Sequence, residues 1–297
     1  MSAPSRIPRS LLSAGVGALI LLLAGSGLWI LTRLSPAAED PSADPDSDST
    51  GQTQVRIMLA GDSMTQGADG DKTWRFHLWN HLDPHVESLD FVGPFTSPAT
   101  PEQIIPPELT GGEPDDGDPD SVEYRDPDFD QDHNARWGRT LDEAATTIEE
   151  DVRAYQPDVL CAMIGVNDLL FPISAEEMEE RLRSYVLGAR AANPEIRILL
   201  AQAPRIALAD SDEGFALRLY VYNELVQSVS EDLSTEQSPV VSFDLAGAEL
   251  WDTAEDTYDG THPNGRGELK IAAGFADALS REFGLGPAYP RPLPSST

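Results

Sequence analysis

From Val55 onward, short apolar runs alternate with segments whose apolar residues recur at helical spacing, and this alternation restricts the fold more than any other feature. The runs at 55–60, 88–92, 158–164, 196–201 and 239–243 are bounded by turn residues and partly β-branched, which marks strands. Residues 73–82, 140–155, 175–192, 214–233 and 267–283 have the helical pattern. Ser174-Ala175-Glu176-Glu177 has the form of a capping box, and Asn193-Pro194 stops the helix it opens. Strands and helices in strict alternation predict an α/β domain, a parallel sheet with helices on both faces.

The first 53 of the 297 residues differ from the rest. Residues 1–10 read as a cytoplasmic start. Residues 11–32 are continuously apolar, with Arg6 and Arg9 before them and Arg33 after. At about 1.5 Å per residue this stretch is long enough for a hydrocarbon core of about 30 Å, so it predicts a transmembrane anchor. A secretory signal cleaved near Ser35-Pro36-Ala37 is the rival. Either reading puts the domain outside the cytoplasm, and the arginine placement keeps the amino terminus inside. Residues 33–53, rich in Pro, Ser, Ala and Asp, predict a disordered linker. The domain is expected over 54–285, with an aperiodic acidic loop at 96–133 and a Pro-rich tail at 286–297. Asp115 to Asp120 carries oxygen ligands for calcium but lacks EF-hand spacing, and a solvated acidic loop is the simpler reading. The formal charge of −31, with Lys72 and Lys270 the only lysines, excludes nucleic acid as a partner and disfavours anionic lipid and anionic substrates. Membrane contact is expected through the amino-terminal helix only. The lone Cys161 excludes an internal disulfide and reads as a buried side chain.

Chemistry-bearing groups fall where strands end. Gly61-Asp62-Ser63-Met64 follows the first strand, a position from which a serine hydroxyl can face the ligand edge of an open sheet. Alone, Gly-Asp-Ser is equally a strand-exit turn. Gly165-Val166-Asn167-Asp168 follows the strand at 158–164, Asp259-Gly260-Thr261-His262-Pro263 precedes the last helix, and His133 to Leu141 leads into the helix near Thr140. Asp62 and Asp168 read as turn-stabilising carboxylates. His77, His81 and His85 are spaced by four, yet no acidic or cysteine partner accompanies them, so packing or surface roles are expected. The serine lacks the Gly-x-Ser-x-Gly elbow, and neither a phosphate loop nor a dinucleotide fingerprint is present.

Taken in order, these four groups resemble the blocks of the SGNH (GDSL-type) hydrolase family over about 55–283: a Gly-Asp-Ser turn, a glycine, Gly-x-Asn-Asp, and Asp-x-x-His. Ser63, Gly138, Asn167 and His262 match the family's four letters. Arg56 to Ser63, Asp90-Phe91-Val92-Gly93 and the loop entering Gly138 are similar to the carbohydrate-acetylesterase branch, whereas Arg139 stands where an aromatic is usual. The resemblance implies a three-layer α/β/α flavodoxin-like fold and a serine esterase without metal or organic cofactor. It implies Ser63 as nucleophile, His262 as base and Asp259 as its orienter, with Asp244 a weaker candidate for that last task. It also implies an oxyanion hole from the Ser63 and Gly138 backbone N–H groups and the Asn167 amide. The expected partner is a small ester or an acylated polysaccharide, short acyl groups on carbohydrate foremost. Trp137 and Trp251 are candidate stacking surfaces for a sugar, or core packing. A polysaccharide-binding module and an acetyl transferase on the same fold are the alternatives.

Overall fold

The computed structural model describes residues 54–105 and 122–294. The apolar segment 11–32, the linker 33–53 and the acidic run 115–120 lie outside the described residues, so neither the anchor nor the calcium idea meets a structural observation. Among the described residues no helix is long and apolar enough to cross a membrane.

Among the described residues six strands form one sheet: β1 (Val55–Gly61), β2 (Leu89–Phe91), β3 (Asn134–Ala135), β4 (Val159–Met163), β5 (Arg197–Ala201) and β6 (Val240–Phe243). The order is β2-β1-β4-β5-β6 and all pairings are parallel. Setting aside the two-residue β3, this is the flavodoxin-like order, whose direction reverses between β1 and β4. β3 was not foreseen, being too short to carry any periodicity. It joins the far end of β1 in the register Ala60↔Asn134 and Gly61↔Ala135, past the point where β2 stops.

Five long helices flank the sheet: α1 (Thr73–Leu82), α2 (Leu141–Tyr155), α3 (Ala175–Ala192), α4 (Glu213–Leu233) and α5 (Gly265–Phe283). α1 packs on α5, while α2, α3 and α4 pack in series. Right-handed crossovers put the two groups on opposite faces. β1 and β4 are buried almost throughout, as strands covered on both faces must be. Cys161 is among these buried residues. Trp74 of α1 stacks on Phe275 of α5 with centroids 4.6 Å apart.

The helix starts have identifiable causes. Thr140 and Glu143 form a full capping box at α2. Ser174 accepts the Glu177 N–H at 3.1 Å, but the Glu177 carboxylate turns to Arg181 at 2.7 Å instead of closing the box. α5 begins two residues earlier than its periodicity predicts because Asn264 accepts the N–H groups of Arg266 and Gly267.

The Pro-rich tail is tied down in its described part. Tyr289 N–H donates to Asp277 at 2.7 Å, and His81 Nε2 lies 2.8 Å from the Pro287 carbonyl. Arg291 pairs with Glu249 and with Asp277. The described flanks of the acidic loop are likewise packed. Tyr124 and His133 are buried, and the Tyr124 hydroxyl donates to the Gln66 carbonyl at 2.8 Å.

Candidate active site

The chain leaves β1 through Gly61, whose backbone passes so close to β4 that an added Cβ would stand 2.4 Å from the Met163 carbonyl oxygen. Glycine is therefore required there. A one-turn helix, Ser63–Gln66, follows at once, and the Asp62 carboxylate caps it by accepting the Met64 N–H at 3.0 Å. Ser63 thus occupies a helix start, where a backbone N–H has no intrahelical partner. Gly61 pairs with Met163, so the turns after β1 and β4 emerge side by side at the switch point.

Ser63 is 6 % exposed, and its Oγ lies 3.0 Å from His262 Nε2. His262 Nδ1 lies 2.7 Å from Asp259 Oδ2. A carboxylate accepts only, so Nδ1 carries the proton and Nε2 is left to accept from the serine hydroxyl. Asp259 Oδ1 takes the backbone N–H groups of Thr261 and His262 at 2.9 and 2.8 Å, which closes the loop ahead of α5. Burial pushes the Asp259 carboxyl upward, yet the bonds from His262 and Thr261 outweigh it and hold the pKa below the usual range. Asp244, the weaker candidate, caps its own short helix through the Gly247 N–H at 2.8 Å.

The structure brings two further groups to this point. Arg136 to Arg139 forms a turn closed by Arg139 N–H to the Arg136 carbonyl at 3.1 Å, with Gly138 at φ 71°. That backbone favours glycine. Asn167, beyond β4, donates through Nδ2 to the Arg139 carbonyl at 3.0 Å. This bond joins the β4 turn to the Gly138 turn and leaves the second N–H of the amide unused among the described residues.

Several residues hold the site without having been marked in the sequence. Gln66 Oε1 accepts the Trp137 N–H at 2.7 Å, joining the Ser63 helix to the Gly138 turn. Arg75, fully buried, donates to the Thr65 carbonyl at 2.9 Å and to the Gln131 carbonyl at 2.8 Å, and it also meets the Tyr124 hydroxyl. His133 accepts the Ala135 N–H at Nδ1, so Nε2–H donates to the Ser97 carbonyl. Burial, helped by Arg75, pushes the His133 pKa well below normal and keeps it neutral. The helical period of α1 hid Arg75 and the aperiodic loop hid Tyr124, while His133 was marked only as the start of the stretch leading to Gly138.

Other expectations resolve locally. Asp168 is a long-range strut rather than a turn residue: it pairs with Arg181 at 2.6 Å and accepts the Leu141 N–H at 2.7 Å. Arg139 turns inward to Asn134 at 2.7 Å. Trp137 stacks on His262 with centroids 4.3 Å apart, and Tyr258 lies parallel to the same ring at 5.8 Å. Trp251 instead packs on the core and donates to the Arg205 carbonyl at 2.9 Å. His81 and His85 contact backbone carbonyls, and among the described residues no His, Cys, Asp or Glu cluster is arranged for a metal.

A hydroxyl, an imidazole and a carboxylate in one hydrogen-bonded line, at the switch edge of a flavodoxin-like sheet, define an SGNH-type hydrolase site. The GDSL-like Lipase/Acylhydrolase family profile matches residues 121–269, half of the chain, and the chain belongs to that family. The matched stretch contains Gly138, Asn167, Asp259 and His262; Ser63 precedes it. The protein is a carboxylic ester hydrolase. An acetylxylan esterase from Geobacillus stearothermophilus is 26 % identical over 159 residues, 49 % of this chain and 70 % of the relative. A family 3 carbohydrate esterase from Talaromyces cellulolyticus superposes with a TM-score of 0.59 at 24 % identity, over 77 % of this chain and 97 % of that one. A Clostridium thermocellum family 3 carbohydrate esterase gives 0.58 at 22 %, over 79 % and 100 %. At such identities these two structures speak for the fold.

Proposed function

We propose that this chain is an extracytoplasmic serine esterase that removes short acyl groups, acetyl above all, from carbohydrate. The observation that carries the reading is the continuous line from Ser63 Oγ to His262 Nε2 (3.0 Å) and from His262 Nδ1 to Asp259 (2.7 Å).

His262 takes the serine proton as Oγ adds to the ester carbonyl, because serine at its own pKa is a weak nucleophile. Asp259 keeps the imidazole in the required tautomer and balances the charge it gains. The oxyanion is met by the Ser63 and Gly138 N–H groups and by the free N–H of Asn167, each donor of this kind contributing about 3–4 kcal/mol to the transition state. His262 then returns the proton to the leaving alcohol, and an acyl-Ser63 ester remains. Water activated by the same imidazole attacks that ester, which releases the acid and restores the serine.

The acetyl and carbohydrate preference is supported by the kinship with an acetylxylan esterase and by a site at an open sheet edge. The extracytoplasmic location rests on the apolar stretch 11–32 flanked by Arg6, Arg9 and Arg33, read as a single-pass anchor. The test compares the chain with its Ser63→Ala variant on 4-nitrophenyl esters of increasing acyl length and on acetylated xylan. Acetate release that is steepest for the shortest acyl group and absent from the variant is expected. A folded protein without turnover on any ester refutes the reading. Acetylated acceptor sugars in place of free acetate redirect it to acyl transfer.

A further inference from the structure

On the α1/α5 side of the catalytic histidine, the surface opens into a hollow of about 380 Å³, within the range of small-ligand sites. Its walls include Asp71, Arg125, Tyr258, Glu268 and Tyr289, with Pro263 in the floor. Tyr258 and Pro263 flank His262 in sequence, and the Tyr258 N–H donates to the His262 carbonyl at 3.0 Å. Gly138 and Asn167, the candidate oxyanion donors, take no part in the lining. An ester bound with its carbonyl oxygen toward those donors must place its alcohol oxygen where His262 can protonate it. Tyr258 and Pro263, on either side of His262 in the chain, line this hollow, which begins next to the Ser63–His262 pair rather than at it.

The chemistry of the walls is that of a polyhydroxylated ligand. Arg125 donates through Nε to the Gly70 carbonyl at 3.0 Å, and its two terminal nitrogens have no partner among the described residues. The Tyr258 hydroxyl also lacks a hydrogen bond there, while Glu268 Oε1 is occupied by the Thr73 N–H at 2.8 Å and Oε2 faces His77 Nε2 at 3.8 Å. Unused donors and acceptors thus stand together with two phenol rings, and a sugar hydroxyl both donates and accepts. Asp71 and Glu268 face Arg125, while Lys72 is already paired with Asp126 at 3.0 Å, so acidic groups outnumber the free cation. Such a hollow on a chain of net charge −31 selects no anion.

We propose that this hollow seats the sugar residue that carries the ester, on the leaving-alcohol side, and that it takes neutral rather than uronic sugars. The proposal rests on the esterase reading above. It gives the carboxy-terminal tail a task, since Tyr289 is part of the lining.

The experiment uses the full chain, its Arg125→Ala variant and its Tyr258→Phe variant, which keeps the ring against His262 and removes only the hydroxyl. Each is assayed on acetylated xylo-oligosaccharide and on 4-nitrophenyl acetate, whose leaving group has no hydroxyls for the hollow. In both variants the ratio of kcat/KM for the oligosaccharide to that for the aryl ester is expected to fall about tenfold, mainly through KM, the effect of one lost hydrogen bond. Calorimetric titration of Ser63→Ala with unacetylated xylo-oligosaccharide is expected to show binding that Arg125→Ala weakens to a similar degree. Variants that leave the ratio and the binding unchanged while aryl-ester hydrolysis persists overturn the hollow and leave the esterase reading standing. Faster turnover of an acetylated uronic oligosaccharide overturns the neutral preference. A wild type that releases acetate from neither substrate removes the esterase reading and this assignment with it.

Discussion

Asp62→Asn changes one oxygen beneath Ser63 and should change how the fold responds to pH. Asp62 is fully buried, its Oδ1 accepts the Met64 N–H at 3.0 Å, and its Oδ2 has no partner among the described residues. Burial pushes its pKa from 3.8 up to about 7; the Met64 bond opposes the shift and the Asp168 charge adds to it. Between those two values the folded chain holds a proton that the unfolded chain has lost. The stabilising contribution is therefore complete below pH 3.8 and disappears as pH rises to about 7. At about 1.4 kcal/mol per unit, the wild type loses roughly 3 kcal/mol from this group between about pH 5 and pH 8. Asparagine keeps the oxygen that caps Met64 and cannot ionise. Urea unfolding of both chains across that range should show the variant gaining roughly 3 kcal/mol on the wild type by the alkaline end. Staying above about pH 5 avoids the low-solubility region near the sequence pI of about 4.2. Parallel stability curves refute the account of a neutral carboxyl beneath Ser63.

Other substitutions separate chemistry from scaffold. Asn167→Ala should lower kcat about 10²–10³-fold while the lost bond to the Arg139 carbonyl costs only about 1 kcal/mol in urea unfolding; a change in KM alone contradicts the donor role. In Gly138→Ala the new Cβ meets nothing within 4 Å, so only the backbone at φ 71° resists. A loss of about 1–2 kcal/mol in urea unfolding, together with reduced kcat, is expected. Asp168→Ala leaves the buried Leu141 N–H unpaired and Arg181 with Glu177 as its remaining close partner, and should cost about 1–3 kcal/mol of stability, read from the urea midpoint.

Strand and helix alternation made the layered sheet legible, because period and punctuation act locally. The end of α2 at Tyr155 and of α3 at Ala192 follow from nearby turn residues in the same way. Ser63 and Asn167 stood out because they sit on short turns just past strand ends, and His262 because its Asp-x-x-His turn directly precedes the last helix. What stayed hidden depends on distant partners. Arg75 reads as an ordinary polar position of an amphipathic helix until Thr65 and Gln131 are brought to it. Trp137 reads equally as a sugar-stacking surface or as core packing until the Gly138 turn lays it on His262. Nothing local in 286–294 announces that Asp277, Glu249 and His81 will hold that segment against the domain.

The central claim is that Ser63 is the nucleophile and His262 its base. The most direct measurement treats the chain with a fluorophosphonate, which captures an activated serine as a stable ester, and maps the adduct by mass spectrometry. One adduct per chain on Ser63, formed at a rate that collapses in His262→Ala, is the result expected here. An adduct on another residue, or Ser63→Ala that still hydrolyses 4-nitrophenyl acetate at the wild-type rate, contradicts it.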